Sequence, residues 1–198
     1  MKFLTIPVFA GLLSLSAAAP QTTTNTAAPA PTTTASPFGQ PNIFRPIVQS
    51  QYEVWTGAVH YNTTNGKIFK NGKTTDITTL LTFTVPAATA GLMCEVHFYL
   101  DPTANVSGTG TFDVFSSLAP ATHSTTTWPS GNLRDAYGGR LQVSKPGEAV
   151  FLAGYGNEGQ LFPCPASATY GAELVPTGDA DDIEWVEALA GAYVLYHS

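Results

Sequence analysis

Between residues 76 and 102 the chain alternates apolar and polar positions with a period of two. In DITTLLTFTVP, Ile77, Thr79, Leu81, Phe83 and Val85 share one face, and Thr78, Leu80, Thr82 and Thr84 share the other. That spacing, with its β-branched enrichment, predicts a strand with one richer face, ended by Pro86. In LMCEVHFYLDP, Cys94, Val96, Phe98 and Leu100 lie on one side and Glu95, His97, Tyr99 and Asp101 on the other, with Pro102 closing the run. GTGTFDVFSSL sets Phe112 and Val114 on one side between turn-forming glycines. QYEVWTGAVHY, GRLQV, EAVFLAGY, ATYGAEL and AYVLY are further short extended runs bounded by Gly, Pro or Asn. Many short strands with regular turn signals predict an all-β fold, an antiparallel β-sandwich of jelly-roll or immunoglobulin-like type. DADDIEWVEALAG is ambiguous: Ile183, Val186 and Ala190 have helical spacing, whereas Ile183 and Trp185 alternate as in a strand. A short helix or irregular turn before the last strand is the expectation there.

The N-terminus breaks this texture. Lys2 precedes an apolar run over 3–15, followed by Ser16, Ala17 and Ala18. This is the layout of a secretory signal peptide over 1–18, too short for a stable membrane anchor. Cleavage is expected after Ala18, because a cut after Ala19 would place Pro20 behind the scissile bond. The new terminus would be alanine, which argues against a copper site built on an N-terminal histidine. Residues 19–45 are dominated by Thr, Ala and Pro, without charge until Arg45. Such a segment buries too little surface to offset its ordering entropy, and reads as a disordered, O-glycosylated stalk. Residues 46–198 are then one β-sandwich domain, long enough for a core of its own. No later stretch is long enough for a membrane span, and the C-terminal ALAGAYVLYHS reads as a final strand rather than a lipid-anchor signal. The expected localisation is secreted, extracellular or in the cell wall.

The formal net charge is −6 and the basic residues are scattered, apart from Lys67, Lys70 and Lys73, which read as a solvated loop. With no basic face, nucleic acid is excluded as a partner.

The cysteines are Cys94 and Cys164. In an oxidising compartment an isolated pair is most simply a disulfide, with two free thiols or metal use as the alternatives. Asn62 and Asn105 open the sequons Asn62-Thr63-Thr64 and Asn105-Val106-Ser107, both in turn-like stretches, and are expected N-glycosylation acceptors. The acidic run Asp179, Asp181, Asp182, Glu184 and Glu187 reads first as a solvated turn. Calcium is the cofactor to weigh there, with Asp179, Asp181 and Asp182 as weak ligands, although the EF-hand spacing is absent. No other cofactor is expected. His60, His97, His123 and His197 are dispersed, no G-x-S-x-G elbow occurs, and His97 beside Glu95 reads as a surface pair. Trp128 in the polar stretch THSTTTWPSGN is the best platform for stacking a sugar ring, followed by Trp55 and Tyr137. Trp185 and Tyr155 are weaker candidates, and burial is the commoner fate of a tryptophan.

The runs LLTFTVP, GLMCEVHFYL, SGTGTFDVFS, TTTWPS, FPCPASATYGAEL and IEWVEALAGAYVLYHS occur in that order over about residues 50–198. Together they resemble a widespread fungal family, the ubiquitin 3 binding protein C-terminal domain or "But-two" family. The resemblance implies a β-sandwich with Cys94 joined to Cys164, mostly in secreted or wall-associated proteins. It supplies no catalytic set. Many members end in a further cysteine, where this chain ends in Tyr196, His197 and Ser198. The family's name refers to a ubiquitin-pathway partner inside the cell, which fits poorly with a signal peptide and two sequons.

The function expected is that of a non-enzymatic surface or cell-wall-associated protein, a glycan-binding or adhesion module with wall polysaccharide as partner. The alternatives are a hydrolase using dispersed carboxylates such as Asp113, Asp135 or Glu158, and an effector or antigen that binds another extracellular protein.

Overall fold

The structure, a computed structural model, describes residues 35–154 and 161–197. The expected signal peptide, most of the expected stalk, Tyr155 and Glu158 lie outside them. The described chain is strand throughout, apart from turns and two single-turn 3-10 helices. The strands are β1 (Ile43–Phe44), β2 (Val48–Glu53), β3 (Val59–His60), β4 (Asn65–Lys70) and β5 (Ile77–Thr84). Then come β6 (Met93–Leu100), β7 (Asn105–Gly108), β8 (Thr111–Ser117), β9 (Arg134–Gln142) and β10 (Gly147–Glu148). The last are β11 (Val150–Phe151), β12 (Phe162–Pro163), β13 (Thr169–Pro176), β14 (Asp181–Val186) and β15 (Gly191–His197).

All pairings are antiparallel and form a curled sandwich, as the alternation predicts. One sheet runs β1-β15-β6-β10, with β12 also on β6. The other runs β11-β9-β8-β13-β5-β4-β14-β7, with β2 on β5 and β3 on β2. The core closes where Phe98 of the first sheet meets Phe112 and Trp185 of the second, at centroid distances of 4.9 and 5.1 Å. These edge-on contacts suit the positive rim and negative face of aromatic rings. Cys94 on β6 and Cys164 just after β12 form the disulfide, with both residues buried.

Four expectations are corrected. First, neither face of β5 is the richer one over most of its length: Thr78, Leu80 and Thr82 are as buried as Leu81 and Phe83, and Thr84 at its end is exposed. Tyr52, Val59 and Ala121 cover Leu80 from the far side as a second small core. Second, 181–186 is a strand, not a helix or turn. It lies between β4 and β7, so both of its edges have hydrogen-bonding partners, and that pairing outweighs the local helical spacing. Its alternation buries Asp181, Ile183 and Trp185. Third, Lys67 and Lys70 lie on β4 rather than in a loop, around the fully buried Ile68. Gly66 on this strand is required by close approach, since a Cβ there would fall 2.1 Å from the Trp185 indole.

Fourth, the fold begins before residue 46. Ser36 caps a 3-10 turn at Pro37–Gly39, and β1 pairs with β15. Phe38 packs edge-on against Tyr99 and Tyr193, both at 5.9 Å, under the Arg45 guanidinium at 3.8 Å. Arg45 also donates to the carbonyls of Glu187 and Ala190. Composition hides this because Phe38 and the pair Ile43–Phe44 are few apolar residues among Pro, Gly, Gln and Asn, directly after a Thr-rich run.

Candidate functional site

Trp55 and Trp128 sit on two loops that the backbone joins. The first loop leaves β2 and is closed by Gly57 N–H donating to Glu53 O at 2.8 Å. Trp55 N–H donates to Thr75 Oγ1 at 3.1 Å, which pins its far side. The second loop links β8 to β9. Trp128 N–H donates to Gly57 O at 2.9 Å, Val59 N–H donates to Thr126 O at 2.8 Å, and Ala58 bridges Thr127. Both indoles project into solvent, 62% exposed at Trp55 and 58% at Trp128. That much exposure of two tryptophans on one joined pair of loops is the reverse of the usual burial of this residue.

Polar groups flank them. Glu53 accepts from Thr56 Oγ1 at 2.8 Å and lies 2.9 Å from His60 Nε2. The hydrogen bonds from His60 first, then Thr56, hold the Glu53 carboxyl below its ordinary range. The group is therefore an anionic acceptor at neutral pH. Exposed aromatic faces beside fixed acceptors and donors suit a pyranose, whose C–H face lies on an indole while its hydroxyls take the hydrogen bonds.

Tyr137 belongs to a different feature. It lies on β9 with its ring 5.2 Å from Phe115, and its hydroxyl donates to Asp113 Oδ1 at 3.1 Å. Trp185 is fully buried and cannot act as a platform.

The acidic run does not converge on one point. Asp181 faces inward, where Oδ1 accepts from Thr109 Oγ1 at 2.6 Å and Gly110 N–H at 2.8 Å, holding the β7–β8 turn. Asp182 and Glu184 face the other way and share Lys67 at 3.9 and 3.6 Å, while Asp179 is exposed in the preceding turn. Among the described residues, no three His, Cys, Asp or Glu side chains are placed to hold a metal ion. Of the hydrolase candidates, Asp113 is held by both Arg140 Nε at 2.8 Å and a second guanidinium nitrogen at 2.9 Å. Asp135 lies 3.4 Å from Ser116 Oγ.

Asn62 is exposed with a left-handed backbone, φ 57°, and Asn105 is exposed at the start of the edge strand β7. Both positions are reachable by a glycosylating enzyme.

His97 is more than half of a surface pair. It stacks on Tyr193 at 5.0 Å, between Glu95 at 3.4 Å and Glu148 at 3.9 Å. His197 Nε2 approaches the same Glu95 oxygen at 3.4 Å. Burial pushes the Glu148 carboxyl above its ordinary range, against the hydrogen bond from Tyr193. Burial, then that same bond, raises Tyr193.

Sequence reasoning missed Glu53, Thr56 and His60 beside the tryptophans, although their spacing around Trp55 on a strand–turn–strand was visible. It also missed Glu173, which is fully buried on β13. Glu173 accepts from Arg134 at 2.9 Å twice, from Thr78 at 2.7 Å and from Asn132 at 3.4 Å. A glutamate inside the apolar run ATYGAELVP was its signal.

The family model described as Ubiquitin 3 binding protein But2 C-terminal domain matches residues 40–190. The matched span includes β1, in line with the early start of the fold. No curated protein matches the chain.

Proposed function

The chain belongs to the Ubiquitin 3 binding protein But2 C-terminal domain family, and from that premise we propose that it is a secreted, non-enzymatic surface or wall-associated protein whose Trp55 and Trp128 loops bind a wall polysaccharide. One observation carries this reading: two tryptophans more than half exposed on hydrogen-bonded loops, beside the Glu53–Thr56–His60 cluster. The signal-like N-terminus and the exposed sequons at Asn62 and Asn105 support a secreted glycoprotein. The test is retention of the purified secreted protein on insoluble chitin, β-glucan and mannan, with and without calcium, with released sugar assayed in the same tubes. Retention on at least one polymer without sugar release is expected. No retention on any of the three, or sugar release, would overturn the reading.

A second reading is a protein partner, which the family's name favours. Exposed tryptophans are also common anchors of protein interfaces. Photo-crosslinking from position 128 on intact wall material separates the two, giving a carbohydrate adduct in one case and a protein adduct in the other.

A further inference from the structure

A cavity of about 260 Å³ lies between the two sheets. Its walls are Phe83 and Leu174 from one sheet and Val96 and Val194 from the other, and nearly all of its lining is hydrocarbon. Sandwich interiors ordinarily interdigitate at close-packed density, with few voids larger than a water. Here small residues hold the space open from both sides: Ala136, Gly138 and Ala172 from one sheet and Ala192 from the other. The β8–β9 register shifts between Val114 and Phe115 and again between Phe115 and Ser117. Such bulges re-aim side chains, and these set Phe115, Ser116 and Tyr137 at the rim of the cavity.

We propose that this inter-sheet cavity is a binding site for a neutral, mainly hydrocarbon small molecule, separate from the tryptophan loops. An apolar void of roughly 150 Å³ takes up one benzene ring, so this one scales to a body of about ten carbons. The rim selects for neutrality. Asp113 is offset by Arg140, and Arg134, 4.7 Å over the Phe115 ring, is already bound to the buried Glu173. Asp135, beside Ser116, adds a further negative charge. The Ser116 and Tyr137 hydroxyls, hydrogen-bonded to Asp135 and Asp113, give the rim a polar edge toward which one alcohol or carbonyl group on the ligand would lie. A fatty carboxylate would lie near the exposed Asp135 charge and would lose hydration against the apolar lining.

The full secreted chain is titrated with 1-naphthylamine, a ten-carbon fluorophore that is neutral at pH 7, and the dye is displaced with n-alkanols and n-alkanoates at that pH. Alkanol affinity is expected to rise about fourfold per methylene and to level off near decanol. Decanoate should bind about tenfold or more weakly than decanol. Ala172→Leu and Ala192→Leu, which fill the space, should each weaken decanol about tenfold, while Trp128→Ala leaves it unchanged. No dye binding would overturn the proposal. So would affinity that keeps rising past tetradecanol without a break, since that is surface partitioning. If the leucine variants fail to fold, the chain-length break and the alcohol-to-acid ratio on the unaltered chain still decide.

Discussion

Replacing Arg134 by Met leaves the Glu173 carboxylate inside its sheet without its cation. Glu173 lies on β13 between β5 and β8, opposite Leu80 and Phe115, and is 0% exposed. Breaking a buried ion pair by removing one partner costs about 3–5 kcal/mol, because the remaining charge stays desolvated. Arg134 is 40% exposed, and Thr78 and Asn132 still hydrogen-bond the carboxylate after the change. The cost should therefore fall near the lower end, about 3 kcal/mol. For a domain of this size that corresponds to a melting temperature lower by about 6–12 °C. Methionine keeps an unbranched side chain, and the loss includes the guanidinium's contact 4.7 Å over the Phe115 ring, about 0.5–1 kcal/mol. Urea denaturation at pH 7, followed by circular dichroism, measures it. The double variant Arg134→Met/Glu173→Met removes both charges and should cost at least about 1 kcal/mol less than the sum of the single changes. An Arg134→Met protein within about 0.5 kcal/mol of the parent, with additive singles, would refute the reasoning, since a buried carboxylate cannot lose its partner so cheaply.

Three further outcomes are expected. Changing Cys94 and Cys164 to Ser together should lower stability by about 4 kcal/mol through loop-closure entropy over the separation of 70 residues; a denaturation midpoint equal to that of the oxidised parent would contradict this. Gly66→Ala must displace the Trp185 indole and should cost about 1–3 kcal/mol, with a red shift of the emission from that buried tryptophan. Glu148 is held above its ordinary range by burial, so between the ordinary and the raised value the folded state binds more protons than the unfolded one, and stability falls as pH rises. Glu148→Gln, whose carbonyl still accepts from Tyr193, should match the parent in melting temperature below about pH 4 and exceed it increasingly toward neutrality; a constant offset across pH would refute the assignment.

The fold was legible where local and long-range demands coincide. On β6 Cys94, Val96, Phe98 and Leu100 form the inward set that the alternation predicts, while on the other face Glu95 and His97 stay half-buried and Phe38 packs on the buried Tyr99. The β5 alternation was equally plain, but its second face is covered by Tyr52, Val59 and Ala121, residues far enough along the chain that no window shows them together. For 181–186 the local spacing pointed one way and pairing with β4 and β7 decided otherwise. The N-terminal boundary failed for a related reason. Phe38 and Phe44 earn their place through single contacts with Tyr99, Tyr193 and Phe83, not through any period.

Of the candidate site residues, Trp128 was nameable from its polar, turn-rich surroundings and Trp55 only as an aromatic within the extended run QYEVWTGAVHY. Their juxtaposition was not, since it depends on hydrogen bonds between loops more than sixty residues apart. Tyr137 carried the same aromatic signal and lines the inter-sheet cavity instead. That cavity gathers small residues from strands spread over the whole domain, each unremarked in its own stretch of sequence. Cys94 and Cys164 were the easiest reading, because two cysteines leave only one pairing.

Oxidation of tryptophans by N-bromosuccinimide would show whether Trp55 and Trp128 touch a glycan, as proposed. Trp55 and Trp128 are exposed and Trp185 is buried, so peptide mapping reads all three sites separately. With a soluble oligosaccharide of the retained polymer at saturation, oxidation of Trp55 and Trp128 should slow together, while Trp185 stays unreacted with or without it. Unchanged oxidation of both exposed tryptophans at saturation would contradict the claim.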